Sequence, residues 1–130
     1  MANPNIVTVA TILGVTTQYT PSGITAVSLL NNAASSGLVY KIDTIMACNT
    51  SSSAVNATAA IYTNATAQGS APTGGTAYPF ASTISVPPNA TVILSDKTTA
   101  FYLNENSCIS ITSGTANNLT FIVSYESISD

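Results

Sequence analysis

Apolar and polar side chains alternate along much of this chain, and Gly, Pro, Asn and Ser cut the alternation at short intervals. Period two is the pitch of a half-buried strand, so this pattern excludes a helical domain. Tyr40, Ile42, Thr44, Met46 and Cys48 are predicted to share one face, with Lys41, Asp43 and Asn49 on the other. Val55, Ala57, Ala59 and Ile61 alternate with Asn56, Thr58 and Ala60; Phe80, Ser82, Ile84 and Val86 with Ala81, Thr83 and Ser85; and Leu119, Phe121, Val123 and Tyr125 with Thr120, Ile122, Ser124 and Glu126. Shorter β-prone runs lie at ITAVSLL (24–30), ATVILS (90–95), TAFYL (99–103) and CISIT (108–112). Ala is frequent, but Thr, Val, Ile and Ser separate it everywhere, and those residues favour strands or compete for helical hydrogen bonds. Turn-forming clusters at PSG, SSG, GSAPTGG, PPNA, NENS and SGTANN punctuate about eight strands. The predicted fold is all-β: a single-domain antiparallel β-sandwich of jelly-roll type, with an immunoglobulin-like sandwich as the second choice.

With 130 residues, one core is expected. Residues 21–130 form the predicted sandwich, while residues 1–20 are uncharged and β-prone and precede the first strong turn at Pro21. This segment is either an edge strand of the domain's own sheet or an arm that pairs with a neighbouring subunit, because a bare uncharged edge invites aggregation. The longest apolar-looking run, residues 6–15, has about half the length that a membrane helix needs, so no membrane partner is expected. The first cationic side chain is Lys41, too late for a secretory signal, so the chain is expected to stay in the compartment where it is made.

Charged residues make up 5% of the chain against about 25% in ordinary domains, so hydroxyls and amides must wet its surface. His, Arg and Trp are absent. Their absence removes His-based triads, Cys/His zinc sites, arginine phosphate forks and the basic grooves that bind nucleic acid, and no cofactor or metal is expected. Of the acidic groups, Asp43 and Asp96 sit beside Lys41 and Lys97 and read as solvated charges, which argues against a carboxylate pair for glycoside cleavage. Cys48 and Cys108 fall in strand-like runs with no nearby charge to activate them, and both are taken as unpaired structural thiols. Five glycosylation-type tripeptides, at Asn49, Asn56, Asn64, Asn89 and Asn118, are expected by chance in so Asn- and Thr-rich a chain. The turn NEN at 104–106 is expected to close a hairpin. Tyr40, Tyr62 and Tyr125 fall on apolar strand faces, whereas Tyr78, beside Pro79 after the Gly-rich loop, is the best placed for exposed contact.

The opening MANPNIVTVATILG, with the later succession ISVPPNATVILSDKTTAFYLNENSCISITSG and NLTFIVSYESIS, resembles small virion structural proteins of tailed phages infecting marine cyanobacteria and related bacteria. The likeness lies in a Pro-containing turn, a D-K turn, the aromatic strand FYL, the turn NEN and a final strand VSYE. It implies a viral protein made in the host cytoplasm and built into the virion as a capsid decoration, or cement, protein. Such a protein would bind the major capsid protein non-covalently and associate with itself as a homotrimer. A small tail or fibre component with receptor-binding, adhesin-like character is the alternative, with tail proteins as partners, and a carbohydrate-active enzyme ranks third. No catalytic residue is assigned. The candidate partner contacts are Asn3, Pro4, Asn5, Ile6, Val7, Val9, Ile12 and Leu13 in the N-terminal segment, together with Tyr78.

Overall fold

The computed structural model describes residues 7–130. Its strands are β1 (Thr11–Tyr19), β2 (Val27–Asn32), β3 (Val39–Asn49), β4 (Val55–Tyr62), β5 (Ala77–Val86), β6 (Thr91–Ser95), β7 (Phe101–Leu103), β8 (Ser107–Ser113) and β9 (Leu119–Ser129), with one 3-10 turn at Lys97–Thr99. They form two antiparallel sheets: sheet A in the order β1-β9-β3-β6, with β7 also on β3, and sheet B in the order β2-β8-β4-β5. Strands β6 and β7 pair with successive stretches of β3, Ile45–Cys48 and Tyr40–Ile42, and so form one edge interrupted by the 3-10 turn. Counted that way, the sandwich has two four-stranded sheets in the strand order of a jelly roll.

The core lies between the sheets. Leu29, Ile42, Ile45, Ala47, Ala57, Ala59, Val86, Leu103, Ile109, Ile111, Leu119, Phe121 and Val123 are all fully or almost fully buried. The predicted faces of β4 and β9 match this core. On β3 the predicted face is wrong beyond Ile42: the register on β9 slips between Ile42 and Thr44, with Asp43 the extra residue. A bulge of one residue reverses the side-chain parity of everything after it. Ile45, Ala47 and Asn49 therefore face the core, and Thr44, Met46 and Cys48 turn to the outer surface. Strand β5 departs similarly, with two register shifts against β4 and Thr83 at φ 47°, so Ala81 and Val86 are buried while Ile84 is 39% exposed. The NEN turn joins β7 in sheet A to β8 in sheet B and is a crossover, not the expected hairpin.

Two buried asparagines hold the sandwich ends. The Asn49 amide donates to the Ser53 and Val86 carbonyls at 2.7 and 3.0 Å, while its oxygen accepts from the Ser51 amide and hydroxyl at 2.9 and 2.7 Å. Asn32 donates to the Leu38 and Leu103 carbonyls, both at 3.0 Å, and accepts from the Ser36 hydroxyl. Each side chain thus satisfies backbone groups that burial would otherwise leave without partners.

The segment 63–76 between β4 and β5 crosses the outer face of sheet B. Side chains at Ser28, Ala60, Cys108 and Ser110 point outward yet are buried, because this segment covers them. Gly69 and Ser70 bond both ways with the Ser28 backbone at 2.9 Å, and the Thr66 amide donates to the Asn31 side chain at 2.9 Å. The Gln68 amide donates to the Leu29 carbonyl at 2.8 Å, the Thr17 hydroxyl at 3.2 Å and the Gln18 carbonyl at 3.4 Å, tying β1 to β2. Gly69 has φ +85°, and a Cβ there would lie 2.9 Å from the Tyr19 hydroxyl. Gly69→Ala is therefore expected to cost about 1–2 kcal/mol in urea unfolding, the penalty of a left-handed non-glycine residue. An unchanged midpoint would contradict this account of the loop.

Candidate interaction surfaces

Of the predicted contact residues, Asn3, Pro4, Asn5 and Ile6 lie outside the described residues. Val7 is 86% exposed and Val9 is half-buried. Ile12 and Leu13, 57% and 58% exposed, sit on β1, which is the edge strand of the domain's own sheet A and pairs with β9 without a slip from Thr11↔Ser129 to Tyr19↔Phe121. Tyr78, 60% exposed, lies on β5 opposite Ile61. Strand β1 stacks over β2, and β5 over β6, so Tyr78 and the N-terminal strand occupy opposite seams of the sandwich and form no common site.

The sequence reading missed an apolar row on the outer face of sheet A. Ile93, Met46, Ile122 and Gln18 are cross-strand neighbours from β6 to β1, and Ile93 is 62% exposed. The row was hidden because simple alternation put Met46 in the core. The next rows are polar: Thr44, Ser124 and Thr16, then Lys41 and Glu126, whose charged ends are 3.8 Å apart on a partly exposed surface. A surface pair of this kind contributes little.

At the β5–β6 seam, Phe80 and Phe101 meet with ring centroids 5.4 Å apart. With Leu94, Ser95 and Thr99 they line a cavity of about 190 Å³. Its polar atoms, the Ser95 and Thr99 hydroxyls, bond to each other at 3.1 Å, and no lining side chain is titratable near neutrality. Asp96 caps the adjacent 3-10 turn, accepting from the Thr98 amide at 2.9 Å, and its bonds to Thr98 hold its carboxyl below the usual range. Among the described residues, no three His, Cys, Asp or Glu side chains form a metal-binding group.

Both cysteines are free thiols, Cys48 half-exposed on the outer face of sheet A and Cys108 buried under segment 63–76. Burial pushes the Cys108 thiol up, against a smaller downward pull from Ser28 and Thr66. An alkylating reagent is expected to modify Cys48 in the folded protein and Cys108 only on unfolding. Equal rates at both, read by peptide mass spectrometry, would contradict the covered position of Cys108.

Tyr40 and Tyr125 meet at a centroid distance of 4.8 Å on the inner side of sheet A. Burial raises both phenols above the ordinary 10.0, and Tyr125 is raised further by the Tyr40 charge. A raised folded-state value gives stability that is complete below pH 10.0 and lost as pH climbs through that raised value. The melting temperature is expected to hold steady from neutrality to about pH 9 and fall beyond about pH 10, with a smaller fall in Tyr125→Phe. An equal fall in the variant would exclude this pair as the cause.

No family model matches the chain, and no curated protein matches it.

Proposed function

We propose that the chain is a phage virion structural protein, a capsid decoration protein that binds the head shell and its own copies through non-covalent contacts. The strand order carries the reading: the jelly roll recurs in viral capsid and lectin domains, and function on this fold lies in surfaces more than in a central catalytic pocket. The surface supports it. A layer of hydroxyls and amides with 5% charged residues depends little on screened ion pairs, which suits an assembly exposed to varying salt. Many symmetric copies, each with a modest contact, would hold such a layer by avidity. The likeness to cyanophage virion proteins points the same way and suggests a homotrimer on the major capsid protein.

One observation favours a second reading. Tyr78 stands exposed beside Pro79 at the edge of sheet B, the type of flat, hydrogen-bonding side chain that a tail adhesin would present to a host glycan. Copy number separates the two. Quantitative mass spectrometry of purified particles is expected to give hundreds of copies per particle, on the scale of the shell subunits. A handful per particle would favour the tail reading, and none would reject both.

A further inference from the structure

A sheet edge left bare is a pairing site unless something blocks it. This sandwich has four edges, and three are blocked. On β2, Gly69 and Ser70 bond to the Ser28 backbone from outside. Strand β5 carries Pro79, two register shifts and Thr83 at positive φ. The β6–β7 edge is broken by the 3-10 turn with Asp96 and Lys97. Strand β1 has none of these devices: Thr11–Tyr19 contains no charge and no Pro, and its ladder on β9 runs without a bulge. Gln68 ties only its far end, at Thr17 and Gln18, which leaves the backbone from Thr11 to Thr16 without a partner strand among the described residues.

We infer that this edge is closed by the same edge of a second copy, β1 against β1, antiparallel about a two-fold axis normal to sheet A. A strand that pairs with itself needs no other sequence, and an isologous contact is the commonest closed assembly. Faces must also match, since residues directly opposite point to the same side of a sheet. A two-fold axis at Gly14 meets that condition, bringing Leu13 opposite Val15 and Ile12 opposite Thr16. At the axis Gly14 projects no side chain, and nothing lies within 4 Å of where one would stand. Its cross-strand neighbour Glu126 lies one strand back from the axis in each copy, so the two carboxylates stay three strand spacings, roughly 14 Å, apart. A short edge ladder belongs with the weak interfaces below roughly 1,200 Å², so a dissociation constant of about micromolar order is expected. The pair does not depend on the virion reading, and a trimer on the shell would use a different contact.

Sedimentation of the full chain over about 1–100 µM tests it, since that range brackets the expected dissociation constant. The expected result is a monomer–dimer equilibrium. Leu13→Lys and Gly14→Lys, both at exposed positions, are each expected to weaken it at least about tenfold, the first by placing like charges diagonally across the axis and the second by placing them directly opposite. The melting temperatures should stay unchanged, and amide exchange from Thr11 to Thr16 should slow as concentration rises. A monomer throughout the range, or an oligomer insensitive to both substitutions, would overturn the inference. So would protection of these amides only when isolated shell protein is added.

Discussion

Asn49→Ala is expected to lower the unfolding free energy by about 3 kcal/mol, far more than an average polar substitution. The side chain is fully buried and uses all of its hydrogen-bonding capacity, with two donors on the Ser53 and Val86 carbonyls and an oxygen that takes two bonds from Ser51. Truncation orphans the buried Val86 carbonyl, at about 1–3 kcal/mol where water cannot reach it, and frees the Ser51 turn that Asn49 anchors, while the Ser53 carbonyl keeps the Ser51 hydroxyl at 2.9 Å. Water entering the vacated space would lower the loss toward the bottom of that range. Asn49→Asp is a sharper probe, because a carboxylate keeps the acceptor side but cannot donate to the two carbonyls and would be charged at a buried site. It should be the worse substitution at pH 7 and should recover partly as the pH falls toward 4. Urea titrations at the two pH values measure both effects. A loss below about 1 kcal/mol for Asn49→Ala would mean that the end of the sandwich is open to solvent.

Phe121→Ala is expected to cost about 4 kcal/mol, within the usual range for a buried aromatic residue cut back to a methyl group. Phe121 is the largest fully buried side chain and lies near the start of β9, between β1 and β3, where it faces sheet B. Its neighbours are held by ladders on both sides, so the cavity can collapse only partly. At roughly 4 °C per kcal/mol for a domain of this size, the melting temperature should drop by about 15 °C, which calorimetry reads directly. Phe121→Leu should recover more than half of the loss, because it restores most of the volume. Equal losses in the two variants would point to a special role of the ring in place of packing.

The physics of a half-buried strand makes part of this fold legible in the sequence. In β4 and β9 the inner residues, Val55, Ala57 and Ala59 and then Leu119, Phe121 and Val123, follow strict alternation and lie in the core. In β3 and β5 the same rule fails at a definite place. One extra residue at Asp43 inverts the parity of Met46, Ala47, Cys48 and Asn49, and nothing in the local sequence distinguishes that residue from its neighbours. The buried Asn49 was hidden for the same reason, since alternation assigned it to the solvent face and its N-T-S context suggested only chance composition. Ala60, Cys108 and Ser110 are buried on what ought to be an outer face because a distant segment, 63–76, folds across them, and a period-two pattern cannot register cover from outside the sheet.

The candidate surfaces divide in a similar way. The β-prone, uncharged character of the N-terminal segment was visible, and both an edge strand and an arm were open. The ladder on β9 places Thr11–Tyr19 in the domain's own sheet. That β1 is the one unguarded edge could be seen only after the other three edges were located, because each is guarded by a contact between residues far apart in sequence. The apolar row at Ile93, Met46 and Ile122 depends on the β3 bulge and was out of reach of alternation alone.

Electron cryo-microscopy of purified particles decides whether this jelly roll coats a phage head, as proposed above. The account predicts density for a two-sheet sandwich of this size on the outer surface of the shell, repeated at every equivalent position of the capsid lattice and absent from particles that lack the gene. A bare shell with the same density confined to the tail, or particles without the chain, would contradict it.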